Sequence, residues 1–306
     1  MLQQSFFCGK PQWNAERDIP DLTGQVIIVT GGNAGIGRHT VQGLLQNNAK
    51  VYMASRDERK ALAAIDELYA LTGKRAVFLP LDLTDLASVK AAAEEFLSKE
   101  KELHVLYNNG GVMVPPIEET TPTGYDLTFG TNVLGHFYLT KLLLPILIAT
   151  AQTAGAARIV TLTSMVHYVA TVDYETFKDG SKRRKRTPFD LYAQSKWADA
   201  VFAMELARRY GEQGIVSTSV NPGNLKTNIS HNSKGLVGLL KLILIHPPEW
   251  GSTTQLWAGT APAAVHANGK YVAPWGRIAR HRKDVEDPEK GSKLWEWLEA
   301  QVAEMK

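Results

Sequence analysis

The chain predicts an α/β fold: a single Rossmann-type, doubly wound domain with a seven-stranded parallel sheet and helices on both faces. Three observations carry that expectation. Seven short runs rich in Val, Ile, Leu and Tyr alternate with stretches of helical periodicity, and runs of this kind suit strands buried on both faces. A glycine-rich turn, Thr30-Gly31-Gly32-Asn33-Ala34-Gly35-Ile36-Gly37, joins the first run to the first helical pattern. No internal repeat or Gly/Ser linker divides the 306 residues, so one domain is expected over 1–306.

Residues 1–22 form an N-terminal arm. Strands are expected over 26–30, 50–54, 76–79, 105–108, 158–163, 216–220 and 270–272. Helical patterns are clearest over 37–46, 59–71, 86–99, 125–149 and 191–210. A tail over 276–306 ends in a helix from Pro288. The stretch 171–188 interrupts the alternation and carries Lys182-Arg183-Arg184-Lys185-Arg186. A nuclear signal or an anion-binding patch is one option. A solvated surface loop is favoured, because the rest of the chain has no matching basic stripe.

Composition narrows the class. Hydrophobic residues are 44% and charged residues 21%, the balance of an ordinary globular protein, and a core of this size needs no disulfide or metal. Cys8 is the single cysteine, which excludes disulfide frameworks and thiolate zinc sites, and no metal is expected. The net charge of +3 gives no field for nucleic acid. The N-terminus does not read as a secretory signal. No run of about 18 apolar residues suggests a spanning helix. The apolar stretch 235–245, broken by Lys241, is too short to span. It is expected to be a substrate lid within 228–247 or a weak surface anchor. A cytoplasmic protein with at most peripheral membrane contact follows as the expectation.

The glycine turn has the context of a nucleotide site. A buried strand ends, the backbone turns sharply, and a helix begins with unpaired N–H groups whose dipole attracts a pyrophosphate. Glycine permits the turn and a close approach of phosphate to backbone. Gly31, Asn33, Ala34, Gly35, Ile36 and Gly37 are the expected lining. At the end of the second strand, an acidic residue would bind the ribose 2′-hydroxyl of NAD. Ser55 stands there instead, followed by Arg56, and Arg38 directly follows the last glycine. A guanidinium can bind a 2′-phosphate that a carboxylate would repel, so NADP(H) is expected over NAD(H). Asp82 and Leu83, after the third strand, are placed to meet the adenine; Asp82 or Thr84 could equally cap the next helix. Asn109, Gly110 and Gly111, after the fourth strand, leave room for the adenosine ribose, or form an ordinary turn.

Tyr192 and Lys196 lie four residues apart on a helical pattern and so share a face. An ammonium near a phenol stabilises the phenolate and brings it toward use as an acid or base. Ser164 ends the fifth strand, where its hydroxyl could hold a carbonyl oxygen beside Tyr192. Asn132 is an amide within a long apolar helix, either a satisfied buried group or the holder of a water that passes protons from Lys196 to solvent.

Taken together, these residues resemble the short-chain dehydrogenase/reductase superfamily of the classical type, and most closely its retinol-dehydrogenase-like branch with fungal members. The glycine turn, Asp82, Asn109 with Gly111, Asn132, Ser164, Tyr192 and Lys196 occur in the family's order over about residues 22–275. Pro222, Gly223, Leu225 and Thr227 resemble the family's segment beside the nicotinamide. Gly110 stands where alanine is usual, and the gap from Ser164 to Tyr192 is longer than typical. The resemblance implies hydride transfer between nicotinamide and a carbonyl or alcohol carbon, with Asn132, Ser164, Tyr192 and Lys196 catalytic. Tyr192 and Lys196 would also touch cofactor. The apolar stretch suggests a lipophilic ketone or aldehyde as the small-molecule partner. A homo-oligomer through the helices near 125–149 and 191–210 is open, and the tail could block such a face. The competing reading is a catalytically silent NADP(H)-sensing protein of the same fold. His167 and His231 could touch substrate, or be ordinary loop histidines.

Overall fold

The structure, a computed structural model, describes residues 9–225, 246–303 and 305. Its strands are β1 (Val26–Thr30), β2 (Lys50–Ser55), β3 (Val77–Pro80), β4 (Val105–Asn108), β5 (Ala157–Leu162), β6 (Ile215–Val220), β7 (Lys270–Ala273) and β8 (Arg277–Ala279). They form one sheet in the order β3-β2-β1-β4-β5-β6-β7-β8. The first seven are parallel, as expected, and β8 pairs antiparallel with β7 at the edge. The sequence reading placed β8 in the tail. Its three residues are polar or half-exposed, so no hydrophobic run announces it, and the three-residue return to β7 is closed by Gly276 at φ 79°.

The helices are α1 (Gly35–Gln46), α2 (Glu58–Thr72), α3 (Leu86–Lys99), α4 (Gly135–Ala154), α5 (Pro188–Tyr210), α6 (Gly251–Thr260) and α7 (Pro288–Val302). One face of the sheet packs α1, α2 and α6 through Val41, Leu44, Ile65, Leu68 and Leu256. The opposite face packs α3, α4, α5 and α7 through Phe96, Phe137, Trp197, Phe202 and Leu298. Helix α6 escaped the sequence reading because GSTTQLWAGT is rich in Gly and Thr and is buried nearly all round, which leaves no amphipathic period. The crossover β1–α1–β2 and the switch between β1 and β4 set a crevice at the carboxyl ends of the strands, where ligands bind in such sheets.

The long apolar helical segment over Leu127–Ala154 meets the length and hydropathy of a membrane span, which the sequence reading did not foresee. Its most apolar stretch is 72% buried inside the domain, so its apolar surface is already spent on the core. The expected lid over 228–247 and Thr227 lie outside the described residues, apart from His246 and Pro247. Cys8 and His231 also lie outside them. Among the described residues no cluster of His, Cys, Asp and Glu could hold a metal ion.

The basic run is a surface loop, as expected, with one buried exception. Arg183 is 1% exposed. Its guanidinium donates to Asp126 at 2.9 Å, to Asp179 at 3.1 Å, and to the carbonyls of Ile117 and Glu119 at 2.7 and 2.8 Å. Arg184 pairs with Asp179 and Lys182 with Glu175. The run is therefore a brace that holds the 117–126 and 171–188 loops together.

Candidate active site

The glycine turn builds the cradle expected of it. Gly31 and Gly35 have φ of 64° and 52°, in the region that favours glycine. A Cβ on Gly31 would come within 2.8 Å of the Gly110 Cα, and one on Gly37 would overlap the Gly31 carbonyl. The turn thus presses on the end of β4, and the glycine at 110 has a local cause: a Cβ there would meet Leu83 at 3.0 Å. Ala34 begins α1 without any side-chain cap, which leaves the first amides of α1 for an anion. Asn109 locks the two strand ends together, its Nδ2 donating to the Thr30 carbonyl at 2.8 Å and its backbone N–H to Thr30 Oγ1 at 2.9 Å.

A cavity of about 240 Å³ opens beside this cradle. It brings together Gly31, Asn33, Ser55, Arg56, Asp82, Leu83, Gly110 and Gly111 from four strand ends, as the sequence reading expected. The residues fit a dinucleotide. Ser55 is 5% exposed and its hydroxyl meets no partner among the described residues. Arg56 is exposed, with its guanidinium 3.9 Å from Asp82. Lys60 also lines the cavity, a cation the sequence reading missed; its position one turn into a helix gave no signal. Asp57 lines it too, but its carboxylate caps α2 and lies 3.3 Å from Lys60. Arg38 is not among the lining residues. It donates to Glu67 at 2.8 Å instead. Asp82 does not cap α3, a role taken by Asp85; its Oδ1 accepts from the backbone and hydroxyl of Thr84. Leu225 bridges to His246 and, like Ile36, borders Gly251, which carries the 222–225 segment to the start of α1.

The second half of the site is set by β5, α5 and the turn before α4. A Thr187–Asp190 capping box and Pro188 start α5, and Tyr192 and Lys196 follow on one face. Tyr192 is half-buried and Lys196 is 6% exposed. The Lys196 ammonium lies 5.9 Å from the centre of the Tyr192 ring. It donates to the Leu162 carbonyl and to Asp199 Oδ2, both at 2.8 Å. Ser164 heads the 3₁₀ turn Met165–Val169, and among the described residues its half-buried hydroxyl meets the Val166 amide at 3.4 Å.

Asn132 sits in a π-helical turn, Gly130–Leu134, that leads into α4. Such turns recur at functional sites. Its side chain clamps Val112 through both backbone groups, at 2.9 and 3.1 Å, and donates to Ser195 Oγ at 3.1 Å. The amide is thus satisfied, and it fixes the loop after β4 against α5. Two histidines were undervalued in the sequence. His136 is fully buried, with Nδ1 2.8 Å from the Asn132 carbonyl and Nε2 2.8 Å from Thr30 Oγ1. His167 is also buried, and its Nδ1 lies 2.7 Å from the Ser164 carbonyl. Burial pushes both imidazoles down to about 4, so both are neutral at neutral pH and each Nδ1 donates to its carbonyl. The spacing of His136 four residues after Asn132 could have flagged it.

Comparison with known proteins identifies the family. The family model described as short chain dehydrogenase matches residues 25–235. A short-chain dehydrogenase/reductase of Armillaria gallica is 51% identical over 300 residues, covering 98% of this chain and 97% of its own. Polyprenol dehydrogenase of Mus musculus is 38% identical over 261 residues, covering 83% and 77%. Among solved structures, an uncharacterized protein from Mycobacterium paratuberculosis superposes with a TM-score of 0.75 at 28% identity, covering 94% and 96%. The Pseudomonas aeruginosa RhlG complex with NADP shares the fold, with a TM-score of 0.67 at 22% identity over 84% and 96%. The chain belongs to the short-chain dehydrogenase/reductase family of oxidoreductases.

Proposed function

We propose that the protein is an NADP(H)-dependent oxidoreductase that transfers hydride between the nicotinamide and a ketone or aldehyde, or the matching secondary or primary alcohol. The observation that carries this reading is the pairing of half-buried Tyr192 with buried Lys196 on α5, joined through the Asn132 bonds to Ser195 and Val112 to the cavity lined by the glycine turn.

When bound, the nicotinamide supplies the hydride in reduction and takes it up in oxidation. The chain's own groups manage the oxygen and its proton. In reduction, the carbonyl oxygen gains charge as its carbon accepts hydride, and the Tyr192 hydroxyl donates its proton to that oxygen. The resulting phenolate is stabilised by the Lys196 ammonium. The Ser164 hydroxyl donates a hydrogen bond to the same oxygen and fixes the carbonyl beside Tyr192. In oxidation the Tyr192 phenolate removes the alcohol proton and the order reverses. Asn132 positions this pair by tying Val112 to Ser195.

The missing acid at the end of β2 supports NADP(H). Ser55 offers a buried, unpartnered hydroxyl, and Arg56 and Lys60 offer two cations at the rim of one cavity. A lipophilic substrate is supported by the apolar sequence of residues 235–245 and by a relative named for polyprenol. The test is NADPH consumption over a panel of lipophilic carbonyls with wild type and Tyr192→Phe. Turnover should vanish in the variant while NADPH still binds. Activity above about a tenth of wild type in Tyr192→Phe, roughly 1.4 kcal/mol of lost transition-state stabilisation or less, would remove Tyr192 from the acid role.

A further inference from the structure

Asp199 lies three residues beyond Lys196 on α5 and is 1% exposed. Its Oδ2 accepts from Lys196 Nζ at 2.8 Å, and the same ammonium donates to the Leu162 carbonyl at 2.8 Å. An ammonium has three N–H groups. Two are taken up by the Leu162 carbonyl and by Asp199, which leaves one. The second carboxylate oxygen, Oδ1, is buried and meets no donor among the described residues. A carboxylate recruited to knit a fold together uses both oxygens, as Asp126 does with Phe129 and Arg183. Asp199 directs its one hydrogen bond at Lys196.

Burying a carboxylate so unevenly is costly. Burial raises the Asp199 carboxyl to about 6 against the opposing pull of Lys196. Such costs concentrate where a charge has work to do. The groups around it are few. Lys196 on α5 meets it directly, and the Leu162 carbonyl of β5 holds the same ammonium. His136 is neutral and is itself pushed down in part by Lys196. The charge acting on Asp199 is that of Lys196.

We propose that Asp199 is a positioning residue for the Tyr192–Lys196 pair, anchoring the ammonium and offsetting part of the positive field it exerts on the Tyr192 hydroxyl. The proposal rests on the reading of Tyr192 as the group that exchanges the proton.

Removing the Asp199 charge with Asp199→Asn, which keeps the shape, should ease ionisation of Tyr192. The direct readout needs no cofactor. Tyrosinate absorbance is titrated in the ligand-free protein, and the part owed to Tyr192 is taken as wild type minus Tyr192→Phe. In the Asp199→Asn background its midpoint should fall by about one pH unit, as expected for loss of a nearby like charge. Asp199→Glu, which keeps the charge, should leave it within a few tenths. The rising limb of kcat/KM against pH for alcohol oxidation should move by the same amount in the same direction. A purely structural Asp199 would lower thermal stability or kcat and move neither midpoint, and that result overturns the proposal. If the asparagine variant does not fold, Asp199→Ser carries the same titration. Should Tyr192→Phe remain active, the reading of Tyr192 fails. Should it be inactive while the midpoint stays fixed in Asp199→Asn, only the role of Asp199 fails.

Discussion

The Thr30 hydroxyl and the His136 imidazole meet 2.8 Å apart beneath the glycine turn. His136 Nδ1 faces the Asn132 carbonyl, so Nδ1 carries the proton and Nε2 is an acceptor that shares the one Thr30 hydroxyl proton with the Tyr107 carbonyl at 3.1 Å. The Thr30 oxygen in turn accepts from the Asn109 and Gly110 amides at 2.9 and 2.8 Å. One hydroxyl thereby joins the end of β1, the loop after β4 and the turn that holds Asn132.

Thr30→Val keeps the shape but strands two amide donors and Nε2 inside the domain. Each buried unsatisfied group costs about 1–3 kcal/mol, so a loss of about 3 kcal/mol is expected in denaturant unfolding, together with weaker NADPH binding by fluorescence titration. A variant within about 0.5 kcal/mol of wild type, the range of an ordinary surface change, would show that the network is not structural.

Cofactor choice should turn on Ser55. An aspartate there places a carboxylate beside the 2′-phosphate, and like charges in contact cost several kcal/mol. Ser55→Asp should therefore lower kcat/KM for NADPH relative to NADH by on the order of a hundredfold, and Arg56→Gln should lower it less, because Lys60 also lines the cavity. Unchanged ratios in steady-state assays with both cofactors would sink the assignment.

Acid should destabilise the protein through its buried histidines, against an opposing contribution from Asp199, whose carboxyl burial raises to about 6. The imidazoles of His136 and His167 are pushed down to about 4 by burial, while a histidine in the unfolded chain titrates at about 6.5. Below that pH the unfolded chain binds protons that the folded chain refuses. Stability is therefore full above about 6.5 and falls as pH drops toward 4, by up to about 1.4 kcal/mol per unit for each histidine. Thermal melts across that window should show the fall. His167→Asn should flatten it, and an equally steep fall in that variant would assign the loss elsewhere.

The buried arginine of the basic run gives a sharper contrast. Arg183→Met leaves Asp126 and two loop carbonyls without their donor, and breaking a buried pair costs about 3–5 kcal/mol. Asp126 caps the Leu127–Phe129 turn that runs into the π turn of Asn132, so turnover should fall as well as stability. Arg184, whose side chain is 69% exposed in its pair with Asp179, should cost less than about 1 kcal/mol on change to alanine. Equal effects from the two would contradict the brace.

Much of this was legible in the sequence because strands buried on both faces leave apolar runs, and the glycines of a turn this tight have no substitute. Ser55, Arg56, Asp82 and Gly110 were readable for the same reason: each ends a strand that points into one crevice. Other features left no local signal. β8 is too short and too polar to show a run, and α6 is buried all round. Arg183 looked solvated because three of its four partners, Asp126, Ile117 and Glu119, come from segments far away in sequence. Asp199 sits at a spacing that reads as an ordinary surface ion pair, and only its burial separates it from one.

The tail bears on assembly. Helix α7 lays Leu294, Trp295, Leu298 and Val302 into the core beside α4 and α5. Trp295 meets Phe137 edge-on at 5.2 Å and lies 6.2 Å from Phe202, while Trp297 packs on Phe129 and Phe177. Tyr125 and Lys141 add a hydrogen bond and an ion pair to Gln301 and Glu299. The chain thus covers with its own helix the face through which a homo-oligomer over 125–149 and 191–210 would form. A chain ending after Glu286 should expose that face, and an exposed apolar patch of this kind drives association. Light scattering should then show concentration-dependent association for the shortened chain that the full chain lacks. Trp295→Ala in the full chain should lose about 3–5 kcal/mol of stability without the same association, since the rest of α7 still covers the face. If the full chain itself dimerises and Lys141→Glu abolishes the dimer, α7 is part of an interface rather than a cover.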